Sequence, residues 1–265
     1  MIPTQTRRAL LAIGAGLLVR ADPARAERAL RIGATAGPVG QTLAFAADLA
    51  RKRGQAVEIV EFTDWVTPNE AVASGDLDAN LFQHVPFLES AIRARGYRLV
   101  PVEGAFVLPV GLFSTRVKRL DAVPDGASVA IANDPVNAAR GLRLLQAAGL
   151  IALRPGVGDD ASQADIVGNP KRLRILELDA AQLPRALDDV TLAQVSFTYL
   201  FAAGGDPRSA LITDGSGDRR YTLSFVARPE TRDDPRLRAF IATFRSPEVK
   251  TYIEGAFRGF LEPVW

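Results

Sequence analysis

The 265-residue chain contains no cysteine and a single histidine, His84. The first absence excludes disulfides, thiol chemistry and any cysteine-based metal site. With one histidine, a metal centre would need a mostly carboxylate ligand set, and the sequence offers no tight acidic cluster to supply one. A Gly-x-Ser-x-Gly elbow, an HExxH pair and a Walker-type glycine loop are also missing. The sequence therefore predicts no catalytic residue, no metal and no cofactor. One rival arrangement stays open: His84 paired with Asp76 or Asp78 as an acid–base couple in a periplasmic enzyme. No apolar run reaches the about 20 residues that cross a bilayer. Short repeats, low-complexity tracts and long linkers are absent too.

The N-terminus reads as an address. Arg7 and Arg8 precede an apolar stretch, Ala9 to Val19, and Ala24-Arg25-Ala26 forms an A-x-A cleavage site, so residues 1–26 are expected to be a signal peptide cut after Ala26. The Arg7-Arg8 pair suits a twin-arginine signal or an ordinary Sec signal. This segment carries four arginines against one aspartate, and its removal takes the net charge from +2 to −1. Nothing in that balance points to nucleic acid or anionic lipid as a partner. The expected location is the periplasm, as a soluble protein.

Beyond residue 26, strand-like and helix-like segments alternate. Leu30–Ala34, Val57–Phe62, Ala79–Phe82, Ser128–Ile131, Arg174–Leu178 and Leu192–Ser196 read as strands, as do Leu99–Val102, Val107–Phe113 and Tyr221–Val226. Gln41–Arg53, Pro68–Ser74, Val85–Arg95, Pro135–Ala148, Ala181–Leu187, Pro235–Phe244 and Pro247–Phe257 read as helices. Alternation of this kind predicts an α/β protein with parallel sheets. With no linker, two lobes must be joined by crossing strands, expected near Gly111–Ser114 and Asp218–Ser224. Lobe 1 is then residues 27–111 and 224–265, lobe 2 is 112–223, and a ligand cleft lies between them at the C-terminal ends of the strands.

Two stretches hold the candidate site. In NDPVNAAR, Asp134 is a preferred N-cap and Pro135 suits the first helical position. Asn137 and Arg140 share a face of the following helix, and Asn133 precedes it. The helix start and the Arg140 guanidinium together suit a carboxylate, although a solvated arginine would read the same way. In EFTDWVTPNEAVASGDLDANLFQHVPF, Phe82 and His84 alternate at strand spacing, and Trp65 stands among polar neighbours, as at the rim of a cleft. His84 suits either a polar ligand atom or a purely structural bond. An apolar wall opposite a carboxylate clamp is what an amino-acid receptor needs.

These segments closely resemble one family. FTDWVTPN, DLDANLFQHVPFLE, NDPVNAAR, ELDAAQLPRALDDV and SPEVKTYIE are similar, in order, to motifs of the methionine-binding receptors of bacterial ABC importers, the NlpA/MetQ type. The resemblance runs from about Leu30 to Trp265. It implies a two-lobed type II periplasmic-binding fold and a monomeric receptor that delivers methionine, or a related small amino acid or carboxylate, to a permease and its ATPase. It also implies that Trp65, Phe82, His84, Asn137 and Arg140 line the ligand site. Three departures stand out: Trp65 where tyrosine is usual, Ser196 where an asparagine usually holds the amino-acid head group, and TAGPVG after the first strand. The lipid-attachment cysteine usual in the family is missing as well. A member of the fold with a retuned ligand and no transport role is the alternative these departures leave.

Overall fold

The computed structural model describes residues 28–158, 160–215, 217–258 and 260–265. The expected signal peptide and its cleavage point lie outside the described residues. The chain opens with β1 (Leu30–Thr35), α1 (Pro38–Lys52), β2 (Val57–Phe62), α2 (Thr67–Ser74), β3 (Ala79–His84), α3 (Val85–Arg95) and β4 (Val100–Val107). There follow β5 (Val110–Phe113), β6 (Ser128–Ala132), α4 (Pro135–Ala147), β7 (Ala152–Leu153), β8 (Ile166–Gly168), β9 (Arg174–Leu178), α5 (Leu183–Ala186), β10 (Leu192–Ser196), α6 (Phe197–Ala202) and β11 (Ile212–Thr213). The last elements are β12 (Thr222–Ala227), α7 (Pro235–Phe244), α8 (Pro247–Phe257) and β13 (Glu262–Pro263).

Two main sheets result, ordered β13-β4-β12-β3-β1-β2 and β11-β5-β10-β6-β9. Each is the centre of one lobe. β1 and β3 are buried along nearly their whole length, as strands covered by helices on both faces must be. α1 starts three residues before the sequence pattern suggests, because Pro38 is tolerated in the first turn where its missing N–H is no loss. Its Val39, Leu43, Ala46, Ala47 and Ala50 face the first-lobe core, beside Phe240 and Phe244 of α7. The second lobe packs Leu142 and Leu145 of α4 on Leu112, Val129 and Ile131.

The sheets are mixed rather than parallel. β1 pairs parallel with β2 and β3, and β6 with β9 and β10, whereas β12 runs antiparallel to β3 and β4, and β5 and β11 form antiparallel pairs in the second sheet. The cause is the crossing itself. The C-terminal ends of the strands point at the partner lobe, so a strand that arrives from that lobe must run the other way.

The crossings also shift by a few residues. β4 ends at Val107 and β5 begins at Val110, which leaves Leu108-Pro109 as the first connection. Pro109 cannot extend a ladder as a donor, and its carbonyl accepts instead from the Phe197 N–H at 3.1 Å. Gly111 therefore pairs with Val195 in the second sheet, and Thr222 and Leu223 pair with Val107 and Phe106 in the first.

Candidate functional site

Six chain segments meet where the lobes face each other: the loop after β2, the end of β3, the first turns of α4, the junction of β10 with α6, and the two connections. They line a partly open cleft whose empty space, open solvent included, is about 360 Å³. Of the residues singled out from sequence, Trp65, Phe82, His84, Asn137, Arg140 and Ser196 line it. Asn133, expected in the clamp, does not; it is exposed, one residue before the cap.

At the α4 start Asp134 is the N-cap that the sequence predicts. The Asp134 carboxylate accepts the Asn137 N–H at 2.9 Å and the Asn137 amide at 3.1 Å with each oxygen. A carboxylate of the chain itself thus fills the helix terminus, and burial raises its pKa. What α4 presents to the cavity is the side chains of Asn137 and Arg140 instead.

Arg140 is not a solvated surface arginine: it is 5% exposed. Its Nε pairs with Asp214, its Nη2 donates to the Leu108 carbonyl at 3.3 Å, and its guanidinium carbon sits 4.2 Å above the Tyr221 ring. Gln194 on β10 fixes the helix that carries it. The Gln194 Oε1 accepts the Ala132 N–H at 3.0 Å, and its Nε2 donates to the Asn137 carbonyl at 2.9 Å.

Opposite lies an aromatic wall. Phe87 meets Trp65, Phe82 and His84 edge-on at 6.0, 5.9 and 6.2 Å, and His84 meets Tyr221 at 5.1 Å. Trp65 stands on the loop after β2, as its polar neighbours suggest, and its buried indole N–H has no partner among the described residues. His84 caps α3 by accepting the Phe87 N–H on Nδ1 at 3.2 Å, which leaves the ring proton on Nε2. Burial first, and the nearby Arg140 charge second, push its pKa down to about 3 against the opposing hydrogen bond with Asn137. The ring is neutral. Asp76 and Asp78 precede β3 while His84 ends it, roughly 20 Å apart at strand rise. Asp78 instead accepts from Arg28 and from the Arg31 N–H, each at 2.8 Å. The imagined acid–base couple does not form.

Sequence reasoning missed several lining residues. Gln83, Phe87, Leu108, Thr198 and Leu223 complete the cavity. Gln83 had a signal in its spacing from Asn80, and the two share a buried network with Asn69 in which each amide bonds the others at 2.5 to 3.1 Å. That network ties α2 to β3 beneath the aromatic wall. Leu108 and Leu223 had none, since their place depends on where the connections run. Among the described residues no cluster of metal-ligating side chains exists.

Comparison with known proteins decides the family. Residues 30–265 match the model of the NlpA lipoprotein family. The chain belongs to that family. It is 41% identical over 233 residues to the D-methionine-binding lipoprotein MetQ of Salmonella typhimurium, covering 87% of this chain and 86% of that one. A nutrient binding protein from Burkholderia cenocepacia, solved bound to methionine, superposes with a TM-score of 0.86 at 38% identity, covering 89% of this chain and 100% of its own. An ABC transporter periplasmic substrate-binding protein from Coxiella burnetii gives 0.85 at 40% identity, covering 89% and 100%. The two-lobed type II periplasmic-binding fold, with its cleft between the lobes, is the fold of this family member. No helix among its described residues is long and apolar enough to cross a membrane.

Proposed function

We propose that this NlpA-family chain is the substrate-binding receptor of an ABC importer, capturing methionine or a closely related small amino acid between its lobes. The observation that carries the reading is the cavity: its lining joins a buried guanidinium to an aromatic wall, and that wall holds an indole donor with no partner among the described residues. The Arg140 guanidinium takes the ligand carboxylate, and the Trp65, Phe82 and Phe87 rings take an apolar or thioether side chain. A neutral His84 with both nitrogens engaged supports binding rather than turnover. The receptor works as a monomer in the periplasm, exported by the 1–26 segment, and hands its ligand to a permease and ATPase pair.

Ser196 favours a second reading of the ligand within the same function. Its hydroxyl caps α6, accepting the Thr198 N–H at 3.3 Å, and its short side chain reaches less far toward a head group than the asparagine the resemblance implies there, although one lone pair and the O–H stay available. Calorimetric titration of ligand-stripped protein with L-methionine, D-methionine, their sulfoxides and the other amino acids tests both. Methionine binding supports the leading reading. Binding of another member alone means a retuned pocket, and silence toward the whole panel defeats the receptor reading.

A further inference from the structure

Arg140 touches both connections between the lobes. Its Nη2 donates to the Leu108 carbonyl on the first connection, and its Nε pairs with Asp214, which directly follows β11 at the start of the second. Its guanidinium lies against Tyr221, near the end of that second connection. Asp214 is in turn fastened to the first strand beyond the other connection. Its Oδ1 accepts the Val110 N–H at 2.9 Å, and its own N–H donates to the Val110 carbonyl at 3.1 Å. One oxygen of the carboxylate thus holds β5 and the other holds the arginine.

Asp214 does this from outside the ligand cavity. It lines a separate groove on the far side of Arg140, with Arg143, Asp218 and Tyr221, and is absent from the cavity wall. A long arginine side chain freezes several torsions when it grips a ligand, and that entropy loss weakens binding unless the side chain is already held. We propose that Asp214 is the positioning residue of the clamp: it holds Arg140 in its gripping pose and couples that pose to the two connections about which the lobes move. The proposal rests on Arg140 being the carboxylate partner, as argued above. A ligand that engages Arg140 then acts on the hinge through Asp214, and lobe closure and affinity are linked through one carboxylate. Asp218 is the other carboxylate close enough to feel Arg140, but it is held by Arg220 at 2.6 to 3.1 Å and serves as a control.

The test is a double-mutant cycle on the full mature receptor, with L-methionine as probe, or whichever amino acid of the panel the unaltered protein binds. Asp214→Asn keeps size and polarity while removing the charge. It should weaken binding at least tenfold, Asp214→Glu should recover part of the loss, and Asp218→Asn should stay within twofold of the unaltered protein. In an Arg140→Ala background, read at millimolar ligand, adding Asp214→Asn should change affinity less than twofold. Small-angle scattering should show the ligand-induced compaction diminished in Asp214→Asn. Equal losses from Asp214→Asn with and without Arg140 would overturn the proposal, as would unchanged binding. If Arg140→Ala itself leaves binding intact, the clamp reading fails and this proposal with it. If Arg140→Ala weakens binding and Asp214→Asn does not, only the positioning role fails.

Discussion

A buried, neutral histidine in a chain with no other makes His84 a clean reporter of acid sensitivity. Its pKa is about 3 when folded, against the ordinary histidine value of 6.5 expected once the chain unfolds. Above pH 6.5 the ring is neutral in both states and its contribution to stability is complete. Below that, the unfolded chain binds a proton that the folded one refuses until about pH 3, so stability falls as pH falls through this window. The limiting slope is about 1.4 kcal/mol per pH unit. Urea unfolding at pH 7 and pH 5 should differ by about 2 kcal/mol, and His84→Asn should abolish most of that difference. Asp134 works the other way. Its raised carboxyl is protonated first in the folded state, so its contribution grows on acidification and is lost as pH rises through its folded pKa. A His84→Asn variant whose stability increases slightly toward acid would report it. At Arg140 the expectation concerns binding: Arg140→Ala should weaken ligand affinity tenfold or more, about 1.4 kcal/mol, by calorimetry. Unchanged affinity would mean the ligand carboxylate is held elsewhere.

At the scale of elements, α4 shows what local chemistry reveals and what it hides. Its start at Pro135 follows from the Asp-Pro pair, and its end falls within one residue of the sequence expectation. Gly141 within it looks like an ordinary cost in helix propensity. The structure gives it a reason: a Cβ there would collide with the Gln194 Oε1 and lie 3.0 Å from the Ile131 side chain. To make room, Gln194 must drop its bonds to the Ala132 N–H and the Asn137 carbonyl. Gly141→Ala should therefore destabilise by about 1–3 kcal/mol in denaturant unfolding, against the gain its better helix propensity would bring. A stabilised variant would show that Gln194 is dispensable. Other elements were not legible for physical reasons. FTYLFA of α6 is apolar on nearly every side, so it carries no helical period. β11 and β13 are two residues long and have no period at all. Strand direction in β12 follows from the lobe crossing, which no local pattern encodes. Trp65, Phe82, His84, Asn137 and Arg140 were legible because they sit in dense motifs near strand or helix ends, and Ser196 as a departure from the family pattern, whereas Leu108 and Asp214 lie on or beside the connections and Leu223 at the start of β12, where the course of the whole chain decides their place.

The whole molecule is held together across the lobes by aromatic side chains on α6. On the cavity side, Tyr199 packs against Trp65 at 5.0 Å, and its hydroxyl donates to the Thr63 carbonyl at 3.3 Å. On another face, Phe201 packs edge-on against Phe257 at 5.9 Å and Phe260 at 6.4 Å. Trp65 and Thr63 belong to the first lobe and Tyr199 to the second, so any opening of the cleft must separate them. This makes Trp65 an intrinsic reporter of closure. The only other tryptophan, Trp265, packs against Phe244 of α7 at 5.4 Å, within the first lobe, and should be indifferent to closure. Ligand addition should shift tryptophan emission in the unaltered protein and in Trp265→Phe, but not in Trp65→Phe. The same titration should raise unfolding stability by about 2.7 kcal/mol at a ligand concentration a hundredfold above Kd. A shift that survives in Trp65→Phe would mean that the ligand perturbs the first-lobe core rather than the interlobe contact. An emission change without stabilisation would mean that the probe touches Trp65 without selecting the closed arrangement.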